Sequence, residues 1–410
     1  MIVAIGSSCQ TIEEYIDNNK DCNLGLIKVR LYRPFYTEEF IKTLPSSCKV
    51  ITVLDRTKEN GATNPLALDV MSAVLKSGKN INVLSGRYGL GGKDFTPACV
   101  NAVVNNMKQE LKDNFTVGIN DDKSHSSLPL EHYEYNTAMT EIKIFGLGSD
   151  GSVSASKSTV KILGEKYNKE IQGYFEYDSK KSGSMTISHL RLSDSKIKSE
   201  YLIENANVIS INNFSFVPRY DCLKGLKENG IVLINSIFDS DEIGKVLPIA
   251  YVKKLQEKNA KLFIINAQKI ATECGLGNKI NIIMQTALLK VTKFLNDDEI
   301  ISSVTEQVSK IFASKGQDVV DKNNSAVLKA LSAIEEADIS KLVGKTYPPL
   351  PDYENEFYKN IMKPILSLDG NSIPVSKFES DGSTELATSQ YEKRGIALNL
   401  PKWIKENCIQ

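Results

Sequence analysis

The stretch EIKIFGLGSDGSVSASKSTVKIL, residues 141–163, constrains the fold of this 410-residue chain more than any other. A segment of strand character runs into Gly146-Leu147-Gly148-Ser149-Asp150-Gly151, and a Ser-, Ala- and Lys-rich segment of helical character follows. G-x-G-x-x-G between a strand and a helix is the context in which the motif holds a phosphate, because the glycines let the backbone turn close to an anion and the helix start aims N–H groups at it. The spacing assigns Gly146 to the tight turn, Gly148 to close approach of the backbone to a pyrophosphate, and Gly151 to packing of helix on strand. Ser149, Asp150 and Ser152 complete the turn and Lys157 follows in the helix, so these residues together form the candidate binding site. The plain alternative is a glycine-rich turn that binds nothing.

The pattern around this motif is α/β, and it predicts two domains with open, mostly parallel sheets. Residues 1–120 alternate strand and helix: IVAIG, GLIKVRLY, KVITVLD and NINVLSGRYG are strands, and Pro97 suits the first turn of the helix TPACVNAVVNNMKQEL. Residues 120–137 are polar, carry a proline and suit a linker. A second α/β domain runs over 138–346, with strands EIKIF, GYFEY, TISHL, NVISI, IVLIN and KLFIIN and then a helical part from 279. Residues 347–410 hold few long apolar stretches and many turn formers, which predicts an extended arm that needs another surface to lie on.

Composition narrows the function. Lys+Arg and Asp+Glu are 50 each, and a net charge of zero argues against a nucleic-acid partner. No apolar run reaches the ~18–20 residues that span a bilayer, and the start MIVAIGSSCQ lacks the basic and cleavage regions of a signal peptide. These point to a cytoplasmic protein with no membrane partner. The seven cysteines are scattered without a CxxC pair, so a disulfide framework is not expected. His125, His132 and His189 lack zinc spacing and no metal is assigned to them.

The strand after the glycine turn decides which nucleotide fits. GYFEY ends in DSKKSGS, where Asp178 could hold ribose hydroxyls and Lys180, Lys181 and Ser182 favour an additional phosphate. NADP and coenzyme A both carry one, and solvated loop lysines are the plain alternative. In the first domain, LDRTKENGATNPL and SGRYGLGGKDFTP lie where strands end, and Arg56, Lys58, Arg87 and Lys93 face Glu59 and Asp94. With no nucleophile–base pair visible there, mutual pairing or docking of another domain is the favoured reading. Cys408, near the end of PKWIKENCIQ, is either an inert thiol or the first ligand of a cluster motif.

IGSSCQTIEE, VRLYRPF, VLDRTKE, GRYGLGGKDFTPA, FGLGSDGSVSASK, YFEYDSKKSGSMTISHLR, ATECGLGNKINIIMQTALLK, SQYEKRGIAL and WIKENCIQ, in this order, resemble the middle of the pyruvate:ferredoxin (flavodoxin) oxidoreductase family. The chain departs from the family's usual strings at Ala62–Leu66, at Ser184 and at Ile237-Phe238. The resemblance implies a transketolase C-terminal-like first domain, a Rossmann-like second domain with a candidate coenzyme A site, and a linker arm ending where an iron–sulfur domain begins. It implies that thiamine diphosphate, Mg and iron–sulfur clusters belong to the complete enzyme and are not bound by this chain alone, with Cys408 a ligand only if the cluster domain is present. The implied partners are the thiamine-binding and ferredoxin-like domains or subunits, ferredoxin or flavodoxin, and a second copy in a homodimer. The implied compartment is the cytoplasm, or an anaerobic organelle in a eukaryote. Read this way the chain is a fragment, a split gene product or one subunit, inactive alone. An NADP-dependent Rossmann dehydrogenase and a purely structural module are the alternatives.

Overall fold

The computed structural model describes residues 1–133, 138–148, 150–178, 184–349, 352–392 and 401–409. Two sheets organise it. The first has five parallel strands in the order β2-β1-β3-β4-β5: β1 Ile2–Ala4, β2 Leu26–Lys28, β3 Val50–Asp55, β4 Asn82–Arg87 and β5 Phe115–Thr116. Its helices are α1 Ser8–Asn18, α2 Thr37–Thr43, α3 Pro65–Ser77 and α4 Pro97–Lys108, with Pro97 at the first helical position as its fixed φ favours. Strand β1 is buried on both faces, so it reads as a continuous apolar run. Ile2 and Ala4 pack towards α1 and α4, while Val3 packs towards α2 and α3.

The second sheet has the order β12-β11-β10-β9-β6-β8-β7. Its strands are β6 Met139–Leu147, β7 Glu170–Tyr177, β8 Met185–Ser193, β9 Ala206–Ile211, β10 Leu226–Asn235, β11 Lys261–Ile265 and β12 Glu335–Ala337. The helices are α5 Ser152–Tyr167, α6 Ile249–Glu257, α7 Ala267–Glu273, α8 Asn281–Thr292, α9 Asp297–Phe312 and α10 Gln317–Ser332. One face carries α5, α7, α8, α9 and α10 over Ile142, Ile144, Leu190 and Leu233; the other packs Phe145, Ile209, Ile211 and Val232 against α6 and the loops around Leu223. Helix α8 is covered on nearly every side, from Ile282 to Leu289, which explains the apolar residues on both sides of its buried Gln285 and Thr286. The capping box of Asn296 and Glu299 starts α9.

The α/β class holds in both sheets, but the second sheet is mixed where a mostly parallel one is expected. Strand β8 runs antiparallel to β6 and to β7 and lies between them. The connection β6–α5–β7 therefore skips one position, and the hairpin β7–β8 folds back into the gap.

The arm also differs from expectation. Residues 352–392 lie on the chain's own surface, with α11 at Lys363–Leu366. Tyr353, Tyr358 and Tyr391 pack ring on ring at 4.8–5.5 Å, and Ile361 and Ile373 are buried. The Val375 N–H donates to the Asn120 carbonyl at 2.9 Å, the Ser376 N–H to Asp122 at 2.8 Å, and Lys224 pairs with Asp369 at 3.1 Å. A few well-placed apolar residues anchor a segment whose average composition reads as unsupported. In residues 401–409, Trp403 is 71 % exposed.

Candidate functional site

The glycine turn closes β6 and opens α5. Gly146 lies inside β6, opposite Thr186, and a Cβ there would sit 2.0 Å from the Ser152 Oγ. Gly151 has φ +87°, the left-handed conformation that glycine adopts without strain. The roles are thus exchanged relative to the motif reading: Gly146 permits the close packing of helix on strand and Gly151 makes the turn. The Asp150 carboxylate bends back, accepting the Leu147 N–H at 2.7 Å and the Ser152 N–H at 2.7 Å. It occupies part of the positive helix end that the motif reserves for a ligand. Val153 and Ser154 contribute the next amides of the first turn of α5. Ser152 is buried, and Lys157 lies on the outer side of α5 with its ammonium 5.4 Å from the Phe175 ring.

Ser149, Lys180, Lys181 and Ser182 lie outside the described residues. Both ends of the hairpin that carries the two lysines are described. Tyr177 pairs with Thr186 and Thr186 with Gly146, which puts the hairpin mouth in the same row as the glycine turn. The Ser184 carbonyl accepts the Gly148 N–H at 2.7 Å, and the Thr186 hydroxyl donates to the Gly146 carbonyl at 3.2 Å. Asp178, at the end of β7, is separated from β6 by β8, roughly 10 Å away at the spacing of paired strands. A dinucleotide fold places that acid on the adjacent parallel strand, so the NAD-type ribose contact is not built here.

The loops of the first sheet mostly bind the chain to itself. Arg87 donates to the Asn114 carbonyl at 2.8 Å, and Lys93 to Asn371 of the arm at 2.6 Å. Asp94 accepts the Leu202 N–H at 3.0 Å, so this loop docks the second sheet's unit. Arg56 is exposed and has no hydrogen bond or ion pair among the described residues. Burial pushes the Asp55 carboxyl above the usual aspartate range, against the Leu66 and Ala67 amides that it accepts at 3.2 and 3.3 Å and so caps α3.

Sequence reading missed the polar joint between the units. Arg191, buried in β8, donates to Glu141 at 3.0 Å, to Gln172 at 2.9 Å and to the Tyr201 carbonyl at 2.7 Å. Glu141 also receives Lys227 at 2.8 Å. Glu14, buried in α1, accepts the Ser199 hydroxyl at 2.6 Å and the Tyr201 hydroxyl at 3.0 Å. Cross-strand pairing of Glu141 with Arg191 was available only as charges interrupting apolar strands, Glu141 and Lys143 in β6 and Arg191 in β8. His189 is buried, its Nδ1 accepting the Ile203 N–H at 3.1 Å, which leaves Nε2–H to donate to Glu176 at 2.6 Å.

Among the described residues no three His, Cys, Asp or Glu side chains gather as a metal site, all seven cysteines are free, and Cys408 is exposed. No described helix is long and apolar enough to cross a membrane.

Comparison with known proteins matches residues 1–100 to pyruvate:ferredoxin oxidoreductase core domain II and residues 141–333 to the pyruvate ferredoxin/flavodoxin oxidoreductase model. Residues 345–397 match a domain of unknown function. The pyruvate:ferredoxin oxidoreductase of Moorella thermoacetica is 45 % identical over the whole chain, and the pyruvate-flavodoxin oxidoreductase of Enterobacter agglomerans is 40 % identical. The chain spans 36 % of the length of each of these relatives. A solved pyruvate oxidoreductase subunit from Thermotoga maritima aligns with TM-score 0.40 and 23 % identity, covering 49 % of this chain and all of that one.

Proposed function

This chain belongs, through both matched segments, to the pyruvate ferredoxin/flavodoxin oxidoreductase family, and we propose that it is the coenzyme A-binding and scaffold part of such an enzyme. The complete reaction converts pyruvate and coenzyme A to acetyl-coenzyme A and carbon dioxide, with two electrons passed to ferredoxin or flavodoxin. Thiamine diphosphate with Mg and iron–sulfur clusters would supply the carbon–carbon cleavage and the electron path. Their ligands would come from partner domains or subunits of a complete, homodimeric enzyme, with Cys408 a cluster ligand only where the cluster domain is present.

The observation that carries the reading is the tie between Gly148 and Ser184, which joins the glycine turn to the hairpin bearing Lys180 and Lys181. The reading assigns a pyrophosphate to the α5 start and the 3′-phosphate of the same ligand to Lys180 and Lys181. The chain's part is to bind and orient coenzyme A, and the isolated chain turns over no pyruvate with a viologen dye. Calorimetry tests the site: coenzyme A binds ~10-fold tighter than dephospho-coenzyme A, the worth of one charge-assisted hydrogen bond, and Lys180→Ala/Lys181→Ala erases the difference. Equal affinities in the wild type refute the assignment. Tighter binding of NADPH favours the dehydrogenase reading, against which the interposed β8 stands, and binding of neither leaves a structural module.

A further inference from the structure

In the first sheet, chain order reverses between β1 and β3: the chain leaves β1 for β2 on one side and continues through β3, β4 and β5 on the other. In open α/β sheets a ligand crevice forms at the C-terminal ends of the strands at such a point. Here β1 ends in Ile5-Gly6-Ser7-Ser8 and β3 in Asp55-Arg56. Helix α1 starts at Ser8 with no acidic residue in its first turn and no side-chain cap. A cavity of about 340 Å³ lies over this point, floored by Ser7, Ser8 and Thr11 and walled by Arg56, Tyr88 and Tyr174.

One observation points to a ligand, and an exposed arginine stands beside it. Thr11 is 1 % exposed, lines the cavity, and its hydroxyl has no hydrogen-bond partner among the described residues. A buried hydroxyl left unpaired costs about 1–3 kcal/mol, so a stable fold keeps one where something else completes it. Arg56, held against Gly89 where a Cβ would come within 2.8 Å of its Nε, reaches the same cavity without a carboxylate partner among the described residues. The carboxylates at the rim are placed otherwise: Asp94 accepts the Leu202 N–H, and Glu200 is exposed.

We propose that this interdomain cleft binds the phosphate group of a small phosphate monoester, or inorganic phosphate, with the α1 N-terminus, Thr11 and Arg56 as its donors. The N–H of Ser8 and the Ser7 and Thr11 hydroxyls donate from one side and the guanidinium from the other. The roof is the segment Ser199–Leu202, anchored to Glu14 and Asp94, so an occupant ties the two units together. The space exceeds a bare phosphate and is walled by tyrosine rings, which favours an ester with an apolar or aromatic body. This site is separate from the glycine turn of β6 and stands whether or not coenzyme A binds there.

Calorimetric titration of the 410-residue chain with inorganic phosphate and with phenyl phosphate tests it. Saturable binding is expected, weakened ~10-fold or more by Arg56→Gln and ~5-fold by Thr11→Val. Thr11→Val melts no lower than wild type without ligand, since it removes a hydroxyl that pairs with nothing, and this keeps the variant informative. Tighter binding of phenyl phosphate identifies an ester as the occupant; equal affinities identify free phosphate. Failure of both probes to saturate, or full affinity in either variant, overturns the proposal.

Discussion

Two strand-to-helix turns occupy the same topological position in their sheets and solve the same problem differently. Gly6-Ser7-Ser8 leads β1 into α1, and Gly146–Gly151 leads β6 into α5, each where chain order reverses. The second carries the recognisable motif, yet its own Asp150 carboxylate occupies two of its amides. The first carries no motif, and its helix start is left without an acid beside an arginine and a threonine hydroxyl that have no partner among the described residues. A glycine pattern therefore reports close approach of backbone to something, and in β6 that something is first of all Ser152. Room for an anion is a separate property that depends on which carboxylates the surrounding chain brings in.

The link between the two regions is where the comparison breaks most severely. Arg191 sits in the sheet of the second turn and holds the carbonyls that roof the first. Arg191→Met is expected to cost about 3–5 kcal/mol, because Glu141 is left buried with only Lys227. Chemical denaturation measures this, and a loss below about 1 kcal/mol would show the joint to be dispensable. Gly146→Ala comes next, at about 1–3 kcal/mol from overpacking, with Ser152→Gly in the same chain restoring part of the loss. Gly6→Ala costs about 1–2 kcal/mol through its positive φ alone, and no neighbouring truncation relieves it, because a Cβ there meets nothing within 4 Å. Rescue of both variants, or of neither, removes the distinction between a packing glycine and a turn glycine.

Asp150→Asn tests whether the carboxylate is a resident anion. Coenzyme A affinity is expected to rise ~3–10-fold as about 1 kcal/mol of like-charge repulsion is lost, while helix capping changes little, because an asparagine amide oxygen accepts the same N–H groups. Lower affinity in this variant would mean that Asp150 shapes the turn for its ligand. The smallest effect concerns the third capped helix, α3. Asp55 holds its proton to higher pH in the folded chain than in the unfolded one, because burial outweighs its two amides. Its contribution is present in full below the usual aspartate range and is lost as pH rises through the raised value. Melting temperatures from pH 3 to pH 6 should therefore show wild type losing ground to Asp55→Asn as pH increases, and an opposite slope would assign the group to the amides.

Much of the fold was legible from local pattern. The β1, β3 and β4 strands, Pro97 at the start of α4 and the strand–glycine–helix junction at Gly146 follow from period, burial and turn chemistry within a few residues. The short strands β5 and β12 were not legible, because Phe115–Thr116 and Glu335–Ala337 hold no pattern of their own and exist through pairing with Gly86-Arg87 and Leu262–Ile264. The site was half legible: the motif located the turn, while the motif spacing assigned Gly146 and Gly151 each other's role. The arm misled because its average composition hid Tyr353, Tyr358 and Tyr391, which are distant in sequence and adjacent in space.

The sequence by itself determined the α/β class, the order of strands and helices along the chain, and the position of the glycine turn, since these rest on contacts within a few residues. Tertiary structure alone decided that β8 enters between β6 and β7, that Asp150 turns into its own helix end, and that Thr11 and Arg56 face one cleft. The physical reason is the range of the interactions. Propensity, capping and turn strain act between neighbours in the chain, whereas strand order and the filling of a helix terminus are set by which of several distant partners best satisfies a buried polar group.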